Sequence, residues 1–136
     1  MFFDFALTVP VNTPELTPYE VELPLAHGII HHVEVGFPPG PKRTTFCQLH
    51  RGLHQVWPNN IGGAFGWDNF TLVWGDWYEM EDYPYMLTAR LWNTSTLYDH
   101  LVVVRIGILP REVLIPPREE ALTIRRIGEM IFGKRK

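Results

Sequence analysis

Along residues 2–110 apolar and polar positions alternate with a period of two, in short runs interrupted by Pro, Gly or Asn clusters about every ten residues. That rhythm predicts an all-β body, because a pleated strand turns every second side chain to the same face and the clusters supply the turns. Phe3, Phe5, Leu7 and Val9 share one face, and the proline-rich stretch from Val11 to Pro18 then stops any ladder and reads as a surface strap. Tyr19, Val21, Leu23 and Leu25 oppose Glu20 and Glu22, and the next run places Ile29, His31, Val33, Val35 and Phe37 against Ile30, His32, Glu34 and Gly36. Pro38-Pro39-Gly40-Pro41 ends it.

Runs from Thr44 to His50 and from Leu53 to Trp57 flank Arg51-Gly52, whose glycine suits the positive φ of a tight hairpin. Phe70 to Tyr78 reads as a strand with a bulge or close backbone approach at Gly75. Met86 to Trp92 and Leu101 to Leu109 complete the set, and the last is so continuously apolar that it predicts a central strand buried on both faces. The expected fold is an antiparallel β-sandwich or jelly-roll-like barrel over residues 1–110, with residues 111–136 as a C-terminal arm or short helix.

Past Pro110 the pattern changes. Pro116-Pro117 can open a helix with Glu119 and Glu120 in its first turn and Arg125, Arg126 and Lys134 toward its end, which matches the helix dipole. Ala121, Ile124, Ile127 and Ile131 then form one stripe, although Gly128 and the β-branched residues fit equally an extended arm that adds to a neighbour. An arm carrying Leu122, Ile124, Arg125, Arg126, Ile127, Ile131 and Phe132 is poorly explained as free surface, so these are the candidate partner-binding residues.

Charge sharpens the division. The first 110 residues hold eleven acidic and five basic side chains, whereas the last 26 hold seven of the twelve Lys and Arg residues. With a formal net charge of −3 the whole body is not expected to bind nucleic acid or an anionic membrane, and the short run Lys134-Arg135-Lys136 adds too little to change that. At 136 residues, 46% apolar and 20% charged, one domain with one core is expected. Cys47 is the single cysteine and excludes an internal disulfide. The start MFFDFALTVPV carries Asp4 and Pro10 and does not read as a signal peptide, nor do 18 apolar residues run together anywhere. Without a secretion signal the sequons at Asn69 and Asn93 are read as chance.

Chemistry is sparse. The six histidines invite a metal reading, but on a strand His31 and His32 point to opposite faces, which leaves only His32 and Glu34 able to share an ion. His50 and His54 have ligand spacing for a helix, yet a turn lies between them. No metal or other cofactor is expected. Nucleophile elbow, phosphate loop and HExxH are all missing, and Cys47 in mid-strand does not suit a nucleophilic dyad, so an enzyme is not expected. The aromatics give the best ligand site: Trp67, Trp77, Tyr83 and Tyr85 are the candidates, with Asp68, Asp76 and Asn93 as polar anchors for a stacked sugar, while Trp74 and Trp92 take strand positions of core tryptophans.

The order YEVELPL, GIIHHVEVGFPPGP, HRGLHQVWPNN, DWYEMEDYPYMLTARLWN and HLVVVRIGILP across residues 19–110 resembles small β-sandwich proteins from the structural modules of tailed phages, particularly thermophile-associated ones. It looks like the class of capsid decoration, or cement, proteins. The resemblance implies a virion protein made in the host cytoplasm that binds the major capsid protein on the outside of an icosahedral head. It also implies a homo-oligomer, often a trimer, that ties neighbouring capsomers together with its arms. The other class in view is a carbohydrate-binding β-sandwich module.

Overall fold

The computed structural model describes residues 1–114. Eight strands, β1 (Phe2–Val9), β2 (Tyr19–Pro24), β3 (Gly28–Phe37), β4 (Thr45–Arg51), β5 (His54–Trp57), β6 (Phe70–Met80), β7 (Met86–Asn93) and β8 (His100–Leu109), precede one helical turn, α1 (Arg111–Leu114). They form two four-stranded sheets, the first ordered β1-β8-β3-β6 and the second β2-β7-β4-β5. Antiparallel ladders join β1 to β8, β2 to β7, β3 to β6 and β4 to β5. Such nested pairing is a single long ribbon rolled up so that β8 also meets β3 and β7 also meets β4. The result is the strand order of an eight-stranded jelly roll.

One continuous core fills the space between the sheets. Val33, Val35, Val104 and Ile106 from the first sheet belong to the same buried cluster as Leu23, Leu49, Leu87 and Leu91 from the second. The alternation expected for β1 and β2 is the alternation found, because the polar partners of each run face water.

Four expectations need correction. β8 is central in its sheet, but it buries only the face with Val102, Val104, Ile106 and Ile108, while Leu101 and Arg105 on the other face are exposed. In β3 the phase slips by one residue: a register shift between Ile30 and His32 turns Ile30, rather than Ile29 or His31, toward the core cluster. On β6 the same irregularity falls between Gly75 and Tyr78, directly after the glycine that signalled it. The core tryptophan is Trp57, with Trp74 packed beside it; Trp92 is buried on the opposite face of β7, stacked on Phe46 at 5.6 Å. The hairpin turn is Gly52-Leu53, one residue later than expected, and Gly52 takes the positive φ of 60°.

Because every connection reverses the chain, the segments after β1, β3, β5 and β7 share one end of the sandwich. Those after β2, β4 and β6 share the other with the N-terminus and α1. Hydrogen bonds tie each end together. Asn12 N donates to Ser95 O and Gly40 N to Asp68 Oδ1 at the first; the Met1 ammonium donates to Ile108 O and Arg51 to Glu79 O and Asp82 O at the second. The helix expected from Pro116 and the whole partner-binding set from Leu122 to Phe132 lie outside the described residues.

Candidate functional site

The four candidate ligand aromatics do not form one platform. Trp67 stands in the β5–β6 connection with the Arg43 guanidinium 4.8 Å from its ring and Phe70 edge-on at 6.3 Å. Trp77 lies seven residues past Phe70 along β6, about 23 Å at strand rise, with its indole N–H donating to Glu79 Oε1 at 3.2 Å. Tyr83 and Tyr85 meet edge to face in the β6–β7 connection, where Tyr85 packs against the core and His27. The polar anchors are committed elsewhere. Asp68 accepts from Gly40 N and Lys42 N, Asp76 accepts from Trp57 Nε1 and Trp77 N, and buried Asn93 bonds Val9 O, Tyr98 O and Ser95 N.

Four of the six histidines fall into two groups, His31 with His32 and His50 with His54. On the outer face of the first sheet His32 Nε2 and Glu34 Oε2 lie 3.2 Å apart, the one pair expected to meet. The slip in β3 also swings His31 to that side, against strict alternation: both imidazoles lie edge-on to Phe2, and all three crowd over Gly107, which has no side chain to displace them. Burial, then His32, then the N-terminal ammonium hold His31 below the usual histidine range. Among the described residues no three His, Cys, Asp or Glu side chains are grouped to hold a metal ion. Cys47 is fully buried and its thiol is pushed up to about 12 by that burial, which removes it as a nucleophile.

A recess of mixed polarity lies on the outer face of the second sheet. The register sets Arg90 between Glu20 and Gln48, and His50 between Thr88 and Gln55, so these four flank two cationic or ionisable groups on a pleated floor. Loops build its walls. Gln48 Nε2 donates to Gly63 O, Gln55 bonds Pro58 O, Asn60 O and Gly62 N, and Arg90 reaches Glu15 O, so residues 58–63 and the strap before β2 are both drawn over the sheet. The depression holds about 340 Å³, with Trp92 at one end and Leu53 and Ile61 on the rim. A smaller one of about 150 Å³ continues it past Thr88 and Gly52.

Electrostatics favour a neutral imidazole on that floor. Burial first, then Arg90, depress the His50 pKa, with His54 adding to the effect and Glu20 opposing it. His50 Nε2 lies 2.9 Å from Gln48 Oε1, an acceptor, so the ring proton belongs on Nε2 and Nδ1 stays free to accept. Among the described residues the buried Arg90 Nε–H has no partner. The recess therefore offers one acceptor, one cationic donor and flanking carboxylates. It is suited to holding a polar ligand. Sequence reasoning missed Gln48, Gln55 and Arg90. Their signal was parity: with His50 and Thr88 they occupy the outward positions of three consecutive strands.

No family model, no curated protein and no solved structure matches this chain.

Proposed function

We propose that the protein is a structural part of a virus shell, a decoration protein that sits on the outside of a phage head and stabilises neighbouring capsomers through residues 111–136. The observation that supports this most is the exposure of large apolar side chains on connections that the core does not use. Leu16, Ile61, Leu97 and Tyr98 stand out at one end, and Leu53 and Tyr83 at the other, each at least 67% exposed. Isolated apolar residues are ordinary on a surface, but loop tips are where water tolerates polar residues best, so this many at both ends of one small sandwich favour neighbours. Jelly rolls serve in viral shells and in lectins, and the fold alone does not choose between them.

The test is co-sedimentation of the purified chain with capsids that lack it. Binding that saturates at a fixed ratio per capsomer, with decorated shells surviving a higher temperature, is the expected result. Removing residues 111–136 abolishes attachment on this reading while the body keeps its melting transition. Capsids that pellet without the chain refute it.

A second reading, glycan binding, is favoured by the recess over the second sheet. Arg90, His50 and the Glu15 carboxylate, with Glu20 in the smaller depression that continues the recess, supply the mixed donors and acceptors that sugar hydroxyls take, beside Trp92. Arg90→Ala removes retention on immobilised glycans if the recess is the site. Trp67→Ala or Trp77→Ala removes it if the loop aromatics are.

A further inference from the structure

We propose that two copies of the chain join through the free edges of their β6 strands, antiparallel about a two-fold axis at Val73, so that their two first sheets continue as one. The inference concerns the free chain and goes beyond the shell reading. Each sheet of the sandwich ends in two edge strands, and an open edge invites unwanted pairing unless it is short, charged or stopped by proline. Three of the four edges carry such a device. β5 has four residues, β2 carries Glu20 and Glu22 and closes on Pro24, and β1 is interrupted by Asp4 and stops at Pro10. β6 has eleven residues with no proline and no basic side chain, and its stretch from Phe70 to Gly75 carries no charge at all. It pairs only with β3, and among the described residues side chains bond its backbone only at Trp77 N and Glu79 O, beyond that stretch.

The side chains match the strand's own reverse, which selects a second copy over an unrelated strand. Val73 stands on the outer face, 55% exposed, and at the axis it meets its equivalent, a β-branched pair of the kind that strengthens a ladder. Thr71 then faces Gly75 of the other copy, and on the core side Leu72 faces Trp74. Trp77, 43% exposed on the same outer face, arrives opposite Asn69. Asn69 lines a depression of about 280 Å³ on that face together with Phe70, Thr71 and Gly36. A methyl group at Gly36 would lie 3.2 Å from Thr71 Oγ1, so the glycine keeps the floor low for an incoming indole. The two-fold axis repeats this fit, so each copy both inserts and receives a tryptophan.

Charge agrees with the same register. Lys42 and Arg43 stand beside the start of β6, near Asp68 and Trp67, whereas Glu79, Glu81 and Asp82 outnumber Arg51 and Arg111 at its finish. Antiparallel pairing brings the basic start of one strand to the acidic finish of the other, at both ends of the contact. From Phe70 to Asp76 the new ladder runs about 20 Å and adds about four to six backbone hydrogen bonds.

Sedimentation velocity of the full-length chain between about 1 and 100 µM tests this. A monomer–dimer equilibrium is expected, and Val73→Lys should weaken it by about tenfold or more, because two ammonium groups would meet at the axis. Val73 lies outside the core cluster, so the variant should keep the melting transition of the body. Val73→Cys should in turn close a disulfide between two copies on mild oxidation, since directly opposed Cα atoms of a ladder lie roughly 4.5–5.5 Å apart, within reach of the bond. Glu22→Cys, exposed on the edge strand of the other sheet, is the control, and buried Cys47 does not compete. A chain that stays monomeric, a trimer, an assembly that Val73→Lys leaves intact, or equal oxidation rates at the two cysteine positions overturns the proposal.

Discussion

Asn93 is the polar residue on which the first end of the sandwich depends. It has no exposure to water, and its side chain makes three hydrogen bonds: Nδ2 donates to Val9 O at 3.3 Å and to Tyr98 O at 3.0 Å, and Oδ1 accepts from Ser95 N at 2.9 Å. One amide thus joins the end of β1, the end of β7 and the start of β8. Asn93→Ala leaves two carbonyls and one N–H without that partner. At about 1 kcal/mol net per hydrogen bond the loss is about 3 kcal/mol, more if water fails to reach the vacated groups. For a domain of this size that lowers Tm by about 10 °C. Urea unfolding followed by tryptophan fluorescence reads the change directly. Asn93→Asp should be worse than Ala at neutral pH, because the carboxylate keeps the bond from Ser95 N but faces two carbonyl oxygens while buried. A loss below 1 kcal/mol for Asn93→Ala, or an Asp variant as stable as wild type, refutes the reasoning.

Other outcomes follow from the same geometry. Cys47 should resist thiol reagents at pH 8 until the protein unfolds; with its pKa pushed up to about 12 from an ordinary 9.0, the unfolded thiol ionises first, and stability should fall above pH 9 by about 1.4 kcal/mol per pH unit from this group. His31 and His50 titrate in the opposite sense: both are depressed, so the unfolded chain takes up protons first, and stability present above pH 6.5 should be lost as pH falls toward 5. A His31→Gln/His50→Gln double variant should show a flatter melting curve against pH over that interval. Gly28→Ala should cost about 2–3 kcal/mol, since φ is 150° and the new methyl group would lie 2.8 Å from Leu109 O. Gly52→Ala, with φ of 60° and nothing within 4 Å, should cost about 1 kcal/mol, and thermal melts of the pair separate backbone strain from collision.

Period-two patterning was enough to locate every strand to within a residue or two, because each strand turns one face to the shared core and polarity mostly reports that face. It failed where geometry departs from the regular pleat. The slip at His31 leaves no mark in polarity, since Ile29 and Ile30 are equally apolar and both are buried. Continuous apolarity in β8 misled for a related reason: Leu101 and Val103 look like core but belong to the exposed face of the first sheet. The recess was harder to see, because Gln48, Gln55 and Arg90 are ordinary surface residues in one dimension and acquire meaning only when β7 lies beside β4. Aromatic count pointed instead to Trp67 and Trp77, which share a neighbourhood in sequence but sit toward opposite ends of β6.

Nested pairing has a consequence for how the chain comes together. Only β4 and β5 are neighbours through a two-residue turn, whereas the outermost ladder joins Phe2 to Gly107. If the hairpin zips first, each later ladder closes a loop already shortened by the one inside it, and loop-closure entropy grows only as the logarithm of length. Yet β1 finds its partner only after nearly the whole body has left the ribosome. Folding of this body is therefore expected to wait for β8 and to be slow, on the millisecond-to-second scale of domains with mostly distant contacts, and until β8 arrives β1 remains an unpaired strand open to aggregation.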